Sequence, residues 1–265
     1  MPKFIFNMQR NQIKALFLYR RVIWEMAVTQ LKTKYAQSFL GIAWAVINPF
    51  LIMLAVTFVF VYVFKVEIKN FPLFVLAGIY PWFFFSNAVS EAASSVINQK
   101  TILRQFNLPI EIIPLASVLG NFLNFLIGWI FIYPLFLLFK PEIFALLPFL
   151  LAGLFLTLIF VSGIGLLISI LNVFYRDIGQ LLPVVLMFWL WVTPVFYSEE
   201  MVPANFRWIC NVNPLTQFIT FYRGVIFECR IPFLELINIT GMAFLSLLVG
   251  WYVFVSFKPN ILKNI

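Results

Sequence analysis

Six stretches of this chain run without Asp, Glu, Lys or Arg: 35–64, 70–90, 112–139, 143–175, 178–198 and 236–257. A helix rises about 1.5 Å per residue and the hydrocarbon core of a bilayer is about 30 Å thick, so about 20 apolar residues cross it. Every stretch reaches that length. The pattern predicts an all-α membrane protein with six transmembrane helices, at 42–64, 71–92, 112–139, 143–171, 178–197 and 234–257, forming one domain over 1–265. Thirteen Leu, Ile, Val and Phe fall within 43–64. Together they favour insertion by about 4 to 8 kcal/mol, which offsets the cost of Asn48 and Pro49 in the same run.

Polar positions between the runs predict the remaining elements. Residues 12–35 place Ile13, Leu16, Phe17, Trp24, Ala27, Val28 and Leu31 on one side at helical spacing, with Arg20 as the exception. Basic residues take much of the rest, the pattern of a helix lying in the headgroup plane. Residues 94–109 predict a short helix between spans two and three, capped by Ser94 or Ser95 and closed by Pro109. The segment 199–230 is too charged to span and too apolar for a loose loop. Asn213-Pro214 is a helix-start signal, and Phe218, Phe221, Tyr222 and Val225 follow at helical spacing. Two short helices are expected there, either dipping into the outer face or resting on it.

Composition sharpens this picture. Of 265 residues, 63% are hydrophobic and 11% charged, the latter about half the share of a soluble domain. A net charge of +8 would suggest nucleic acid in a soluble protein. Here the charges lie in short connections, so they report orientation instead. The N-terminal segment, the loops at 91–111 and 172–177 and the C-terminal tail hold 12 of the 18 basic residues and 4 of the 10 acidic ones. Both termini are therefore expected in the cytoplasm. No cleavable signal is visible in the first 30 residues.

Several chemistries find no residues to carry them. The chain has no histidine, and Cys210 and Cys229 fit no metal spacing. They fall on the expected outer side, where a disulfide is open to them. None of the six runs contains a carboxylate within it, which argues against proton coupling. Ser, Thr and Tyr occur, but no base is read near them in the sequence. No Gly-x-x-x-x-Gly-Lys-[Ser/Thr] loop is present, so energised work would need a partner's nucleotide site. No cofactor is expected.

The first span carries Trp44, Asn48, Leu51, Ala55, Phe58 and Tyr62 at spacings of four and three, within about 40° of one line at 100° per residue. A polar Asn at membrane depth prefers protein interior or a wet cavity, so this stripe is expected to line a channel. Aromatic belts at the two membrane surfaces are the competing reading for Trp44 and Tyr62. The fifth span offers Phe188, Trp189, Trp191, Phe196 and Tyr197, with a break expected at Thr193-Pro194. Arg176 and Asp177, at its start, are read either as ordering the loop or meeting a lipid head-group, or as a plain surface ion pair.

In order along the chain, "LKTKYAQSFLGIAWAVINP" (31–49), "LAGIYPWFFF" (76–85), "INQKTILRQFNLPIEIIP" (97–114), "FYRDIGQLLP" (174–183), "TPVFY" (193–197) and "NPLTQFITFYRGVIF" (213–227) resemble the permease subunit of type-2 ABC transporters. The likeness covers nearly the whole chain. It is greatest to the polysaccharide exporters of O-antigen and capsule, with teichoic-acid exporters close behind. It implies a homodimer with two separate ABC ATPase subunits in the bacterial inner membrane. It implies that 12–35 and 94–109 meet the ATPases, through Lys32, Lys34, Lys100, Arg104 and Phe106. It implies an outer gate containing Asn213, Pro214, Phe218, Tyr222 and Arg223, and a lipid-linked polysaccharide passing between two permeases along spans one and five. Membrane lipids are the other expected partner, and nucleic acid is not one. A drug or small-lipid exporter of the same superfamily is the alternative, and a membrane-embedded glycan transferase a third.

Overall fold

The computed structural model describes residues 16–106 and 108–264, without the side chains of Arg104 and of 259–264. The start of the expected interface helix, 12–15, lies outside the described residues. The remainder forms helix α1, Arg20–Tyr35. It packs along a later helix, α5 (Ile112–Phe139). Contact is close because Ala27 is fully buried and a Cβ at Gly120 would meet the Ala27 carbonyl at 3.1 Å.

Gly41, at φ +51°, turns the chain upward. After a 3-10 turn, Gly41–Ala43, come α2 (Trp44–Thr57) and a π-helical continuation, Phe58–Val63. Lys65 and Asn70 both adopt left-handed backbone and reverse the chain into α3 (Phe71–Asn98). The short α4 (Lys100–Gln105) leads to α5, and a 3-10 turn, Pro141–Leu146, to α6 (Leu147–Phe174). Next are α7 (Asp177–Val192), α8 (Arg207–Val212), α9 (Pro214–Ile226) and α10 (Phe233–Asn264). No strand occurs among the described residues.

Among the described residues, five helices are long and apolar enough to cross a membrane: the α2 unit, α3, α5, α6 and α10. The fifth expected span is shorter than predicted. α7 has 16 residues and stops at Val192 instead of 197, because Pro194 has no N–H to continue the ladder. The expected span 71–92 instead runs to Asn98. Ala92, Ala93, Ser95 and Val96 are buried there and keep the helix packed, so Ser95 bonds back to the Ala92 carbonyl and caps nothing. The expected helix at 94–109 thus shrinks to α4.

α3 is the centre of the fold. It touches α2, α5, α6, α7 and α9. α6 and α10 pack extensively and approach closely, so that a Cβ at Gly163 or Gly250 would collide with the facing backbone. Small residues allow this approach, which drives association where lipid offers no hydrophobic gain. α9 starts where Asn213-Pro214 predicts, with the Asn213 Oδ1 accepting from the Leu215 amide. It packs inside the bundle against α3, α6 and α10. Aromatic pairs fill the space around it: Tyr222 stacks on Trp129 at 5.9 Å, and Phe218 lies 4.8 Å from Phe160.

Candidate functional site

A polar cleft opens where α1 ends. The last turn of α1 delivers Lys34 and Tyr35, and the first turns of α2 deliver Trp44 and Asn48. One face of α3 supplies Phe83, Asn87 and Glu91 at helical spacing, and α5 supplies Asn121 and Asn124. Lys34 Nζ meets Glu91 Oε1 at 2.9 Å and Asn121 Oδ1 at 3.2 Å. Asn121 Nδ2 donates to Glu91 Oε2 at 2.5 Å and to the Ser117 carbonyl at 3.1 Å. The Tyr35 hydroxyl donates to Asn124 Oδ1 at 2.6 Å. Burial pushes the Tyr35 phenol above its ordinary value; the Asn124 bond pulls it back in part, and the Glu91 charge adds to the rise.

The Lys34–Glu91 pair is also the wall of a second cavity, lined by Thr29, Gln30, Thr33, Ser94, Asn98 and Gln99. Polar groups therefore run continuously from the α1 surface to Trp44, with one ion pair between the two cavities. Sequence reasoning passed over Asn87, Glu91, Asn121 and Asn124. Their signal was available: pairs of polar residues four and three apart, with Asn87, Asn121 and Asn124 inside apolar runs.

Beyond the cleft, α2 presents a wall. Asn48, Leu51, Ala55, Phe58 and Tyr62 are exposed and Trp44 is half-buried. The π-helical turn keeps Phe58 and Tyr62 on one side, with ring centroids 5.7 Å apart. On α7, Phe188 and Trp191 are exposed together with Val184 and Met187. Trp189 and Phe196, expected on the same lining, turn inward. Trp189 lies on the opposite side of α7, edge-on to Phe85 at 5.3 Å. Phe196 follows the helix end, where the chain leaves the helical register, and is buried between Phe60 and Trp191. The Tyr197 hydroxyl donates to the Trp191 and Val192 carbonyls, capping α7.

The residues expected to form an outer gate hold that broken end instead. Asn213 Oδ1 accepts from the Trp189 indole at 3.0 Å, and its Nδ2 donates to Thr193 Oγ1 at 2.8 Å. The buried guanidinium of Arg223 donates to the Pro194 and Val195 carbonyls at 2.7 and 2.6 Å and lies 3.5 Å over the Phe74 ring. Phe218 and Tyr222 are fully buried, and the Tyr222 hydroxyl meets Thr157 Oγ1 at 2.8 Å. All four of these side chains are buried.

Of the residues expected to meet an ATPase, Lys32, Lys100 and Phe106 are exposed. Lys34 is engaged within the cleft, and the Arg104 side chain lies outside those described. Behind α4, Lys258 Nζ holds both carboxylate oxygens of the buried Glu111, at 2.7 and 3.0 Å. Arg176 and Asp177 are exposed and form no ion pair among the described residues. The loop there is ordered by Asn172, which donates to the Ala93 carbonyl and accepts from the Gly179 amide. Cys210 and Cys229 are free thiols.

The profile of the ABC-2 type transporter family matches residues 21–227. Over 238 residues the chain is 30% identical to the O-antigen export system permease protein RfbA of Klebsiella pneumoniae, covering 86% of this chain and 88% of that one. The Myxococcus xanthus protein of the same name is 27% identical over 248 residues, 90% of this chain and 92% of its own. The polysialic acid transport protein KpsM of Escherichia coli is 22% identical over 228 residues, 83% of each.

Proposed function

Because the chain belongs to the ABC-2 type transporter family, we propose that it is the membrane-spanning subunit of an ATP-driven exporter moving lipid-linked polysaccharide, of the O-antigen type, out across the bacterial inner membrane. Membership makes it a transport subunit of a multi-pass membrane protein, not an enzyme. Two copies and two separate ATPase subunits make up the exporter. Both termini lie in the cytoplasm, so the polar cleft sits at the cytoplasmic mouth and α9 is re-entrant from the outside.

The observation that carries this reading is the pair of aromatic faces on α2 and α7. Both helices pack on α3, and both leave large side chains uncovered: Phe58 and Tyr62 on one, Phe188 and Trp191 on the other. In a dimer these faces enclose a lumen. Sugar C–H faces stack on aromatic rings with modest, repeating contacts, which lets a polymer slide. α7 completes the fifth span with the irregular turn segment 193–197. Irregular backbone at membrane depth is tolerated where protein covers it, and Arg223 and Asn213 supply that cover.

Deleting the gene in its host should abolish surface polysaccharide and accumulate the lipid-linked glycan inside. Complementation should restore display, and the tagged chain should co-purify with an ATPase. Lys100→Glu should abolish that co-purification. Normal surface polysaccharide in the deletion strain would overturn the reading.

A further inference from the structure

We propose that the cleft beside Trp44 is a binding site for a single neutral glycosyl unit, read by Asn48, Asn87 and Asn124. The ligand's source rests on the exporter reading; the chemistry of the site does not. Asn48 and Asn87 are exposed and have no hydrogen-bond partner among the described residues. Asn87 lies within the charge-free run 70–90, one helical turn before Glu91. An amide at that depth facing hydrocarbon would cost free energy, so it faces water or a ligand. Asn124 spends one acceptor on Tyr35 and keeps its amide donors. Each carboxamide can both donate and accept, and so can each sugar hydroxyl.

Charge selects between the parts of a lipid-linked glycan. The ionised groups of the cleft are Lys34 and Glu91, already paired at 2.9 Å. The pair offers an anion no net attraction, and the carboxylate repels a pyrophosphate. Neutral hydroxyls meet no such penalty. Trp44 and Phe83 are partly exposed and line the cleft, and aromatic rings suit the C–H side of a pyranose. The enclosed volume of about 80 Å³ holds a few waters. That suits the hydroxyl edge of one residue, not a chain passing through. The site would register each sugar as it enters the lumen beside it.

Saturation-transfer NMR on the full chain in lipid nanodiscs tests this. The probe is oligosaccharide released by mild acid from the host's own surface polysaccharide, with inorganic pyrophosphate and undecaprenyl phosphate as separate arms. Transfer to sugar protons is expected. Asn87→Ala and Trp44→Ala should each weaken binding about fivefold, the scale of one net hydrogen bond or contact. Phe155→Ala, on the exposed surface of α6, should leave it unchanged. No transfer in wild type, wild-type binding in both cleft variants, or displacement by pyrophosphate would each overturn the site. If wild type restores surface polysaccharide yet Asn87→Ala binds normally, the site falls and the exporter stands. If wild type restores none but still binds sugar through Asn87, the exporter reading falls and the site stands.

Discussion

Lys34 and Glu91 sit on different helices and close an ion pair of 2.9 Å, with Asn121 of a third helix bonded to both. The pair fixes the end of α1 to α3 and α5 at the mouth of the cleft. Both side chains are partly exposed, so each contributes modestly: about 1 kcal/mol for the network is the expected scale. Lys34→Met and Glu91→Gln should each lower the Tm of the purified protein by a few degrees. The swap of Lys34→Glu with Glu91→Lys should recover most of it, and a double-mutant cycle measures the coupling. Additive effects with no recovery would show that the pair holds nothing.

Arg223 should tolerate no conservative replacement. Its planar fork serves two carbonyls while stacking on Phe74, a geometry an ammonium does not reproduce. Arg223→Lys leaves at least one buried carbonyl short of a donor, at about 1–3 kcal/mol. Cysteines placed at 193–197 should then react with water-soluble maleimides that do not label them in the wild-type background.

Two phenylalanines separate lining from core. Phe58 is 63% exposed and Phe196 is 3% exposed. Phe196→Ala should destabilise the fold by about 3–5 kcal/mol. Phe58→Ala should leave Tm unchanged while slowing surface display of polysaccharide. Unchanged display in Phe58→Ala would remove α2 from the channel wall.

The α6–α10 crossing depends on having no Cβ at two positions. Gly250→Ala should collide with the Gly163 backbone and sharply reduce the yield of folded protein. Gly241→Ala, on the same helix but facing open space, should be neutral or slightly stabilising because Ala favours the helix. Size-exclusion profiles of the two variants make the comparison.

Lys258→Met should cost several-fold more than Lys34→Met. It strands a Glu111 carboxylate that is 1% exposed, and breaking a buried pair costs about 3–5 kcal/mol. Glu111→Gln with Lys258→Met should recover stability, because the amide carries no charge to bury. Thermal melts of both variants decide it.

Periodicity and charge-free length, read from the chain alone, placed five apolar spans, the start of α9 at Asn213-Pro214 and the break near Pro194. These are local properties. Run length sets what can cross a bilayer, Pro214 suits the first position of a helix, and Pro194 cannot extend one. The spacing of Asn48, Leu51, Ala55, Phe58 and Tyr62 likewise identified one face of α2 before any packing was known.

Tertiary structure alone decided which polar groups meet. Lys34 looked like a free surface cation until α3 and α5 brought Glu91 and Asn121 to it. Arg223 and Tyr222 looked like gate residues until α9 folded into the bundle. Phe196 and Trp189 looked like lining until the end of α7 turned them toward Phe60 and Phe85. The physical reason is common to all. Helical spacing tells which residues share a face, but which neighbour covers that face depends on contacts far apart in sequence. In a chain where 63% of residues are hydrophobic, apolar character cannot separate core from lipid face or lumen.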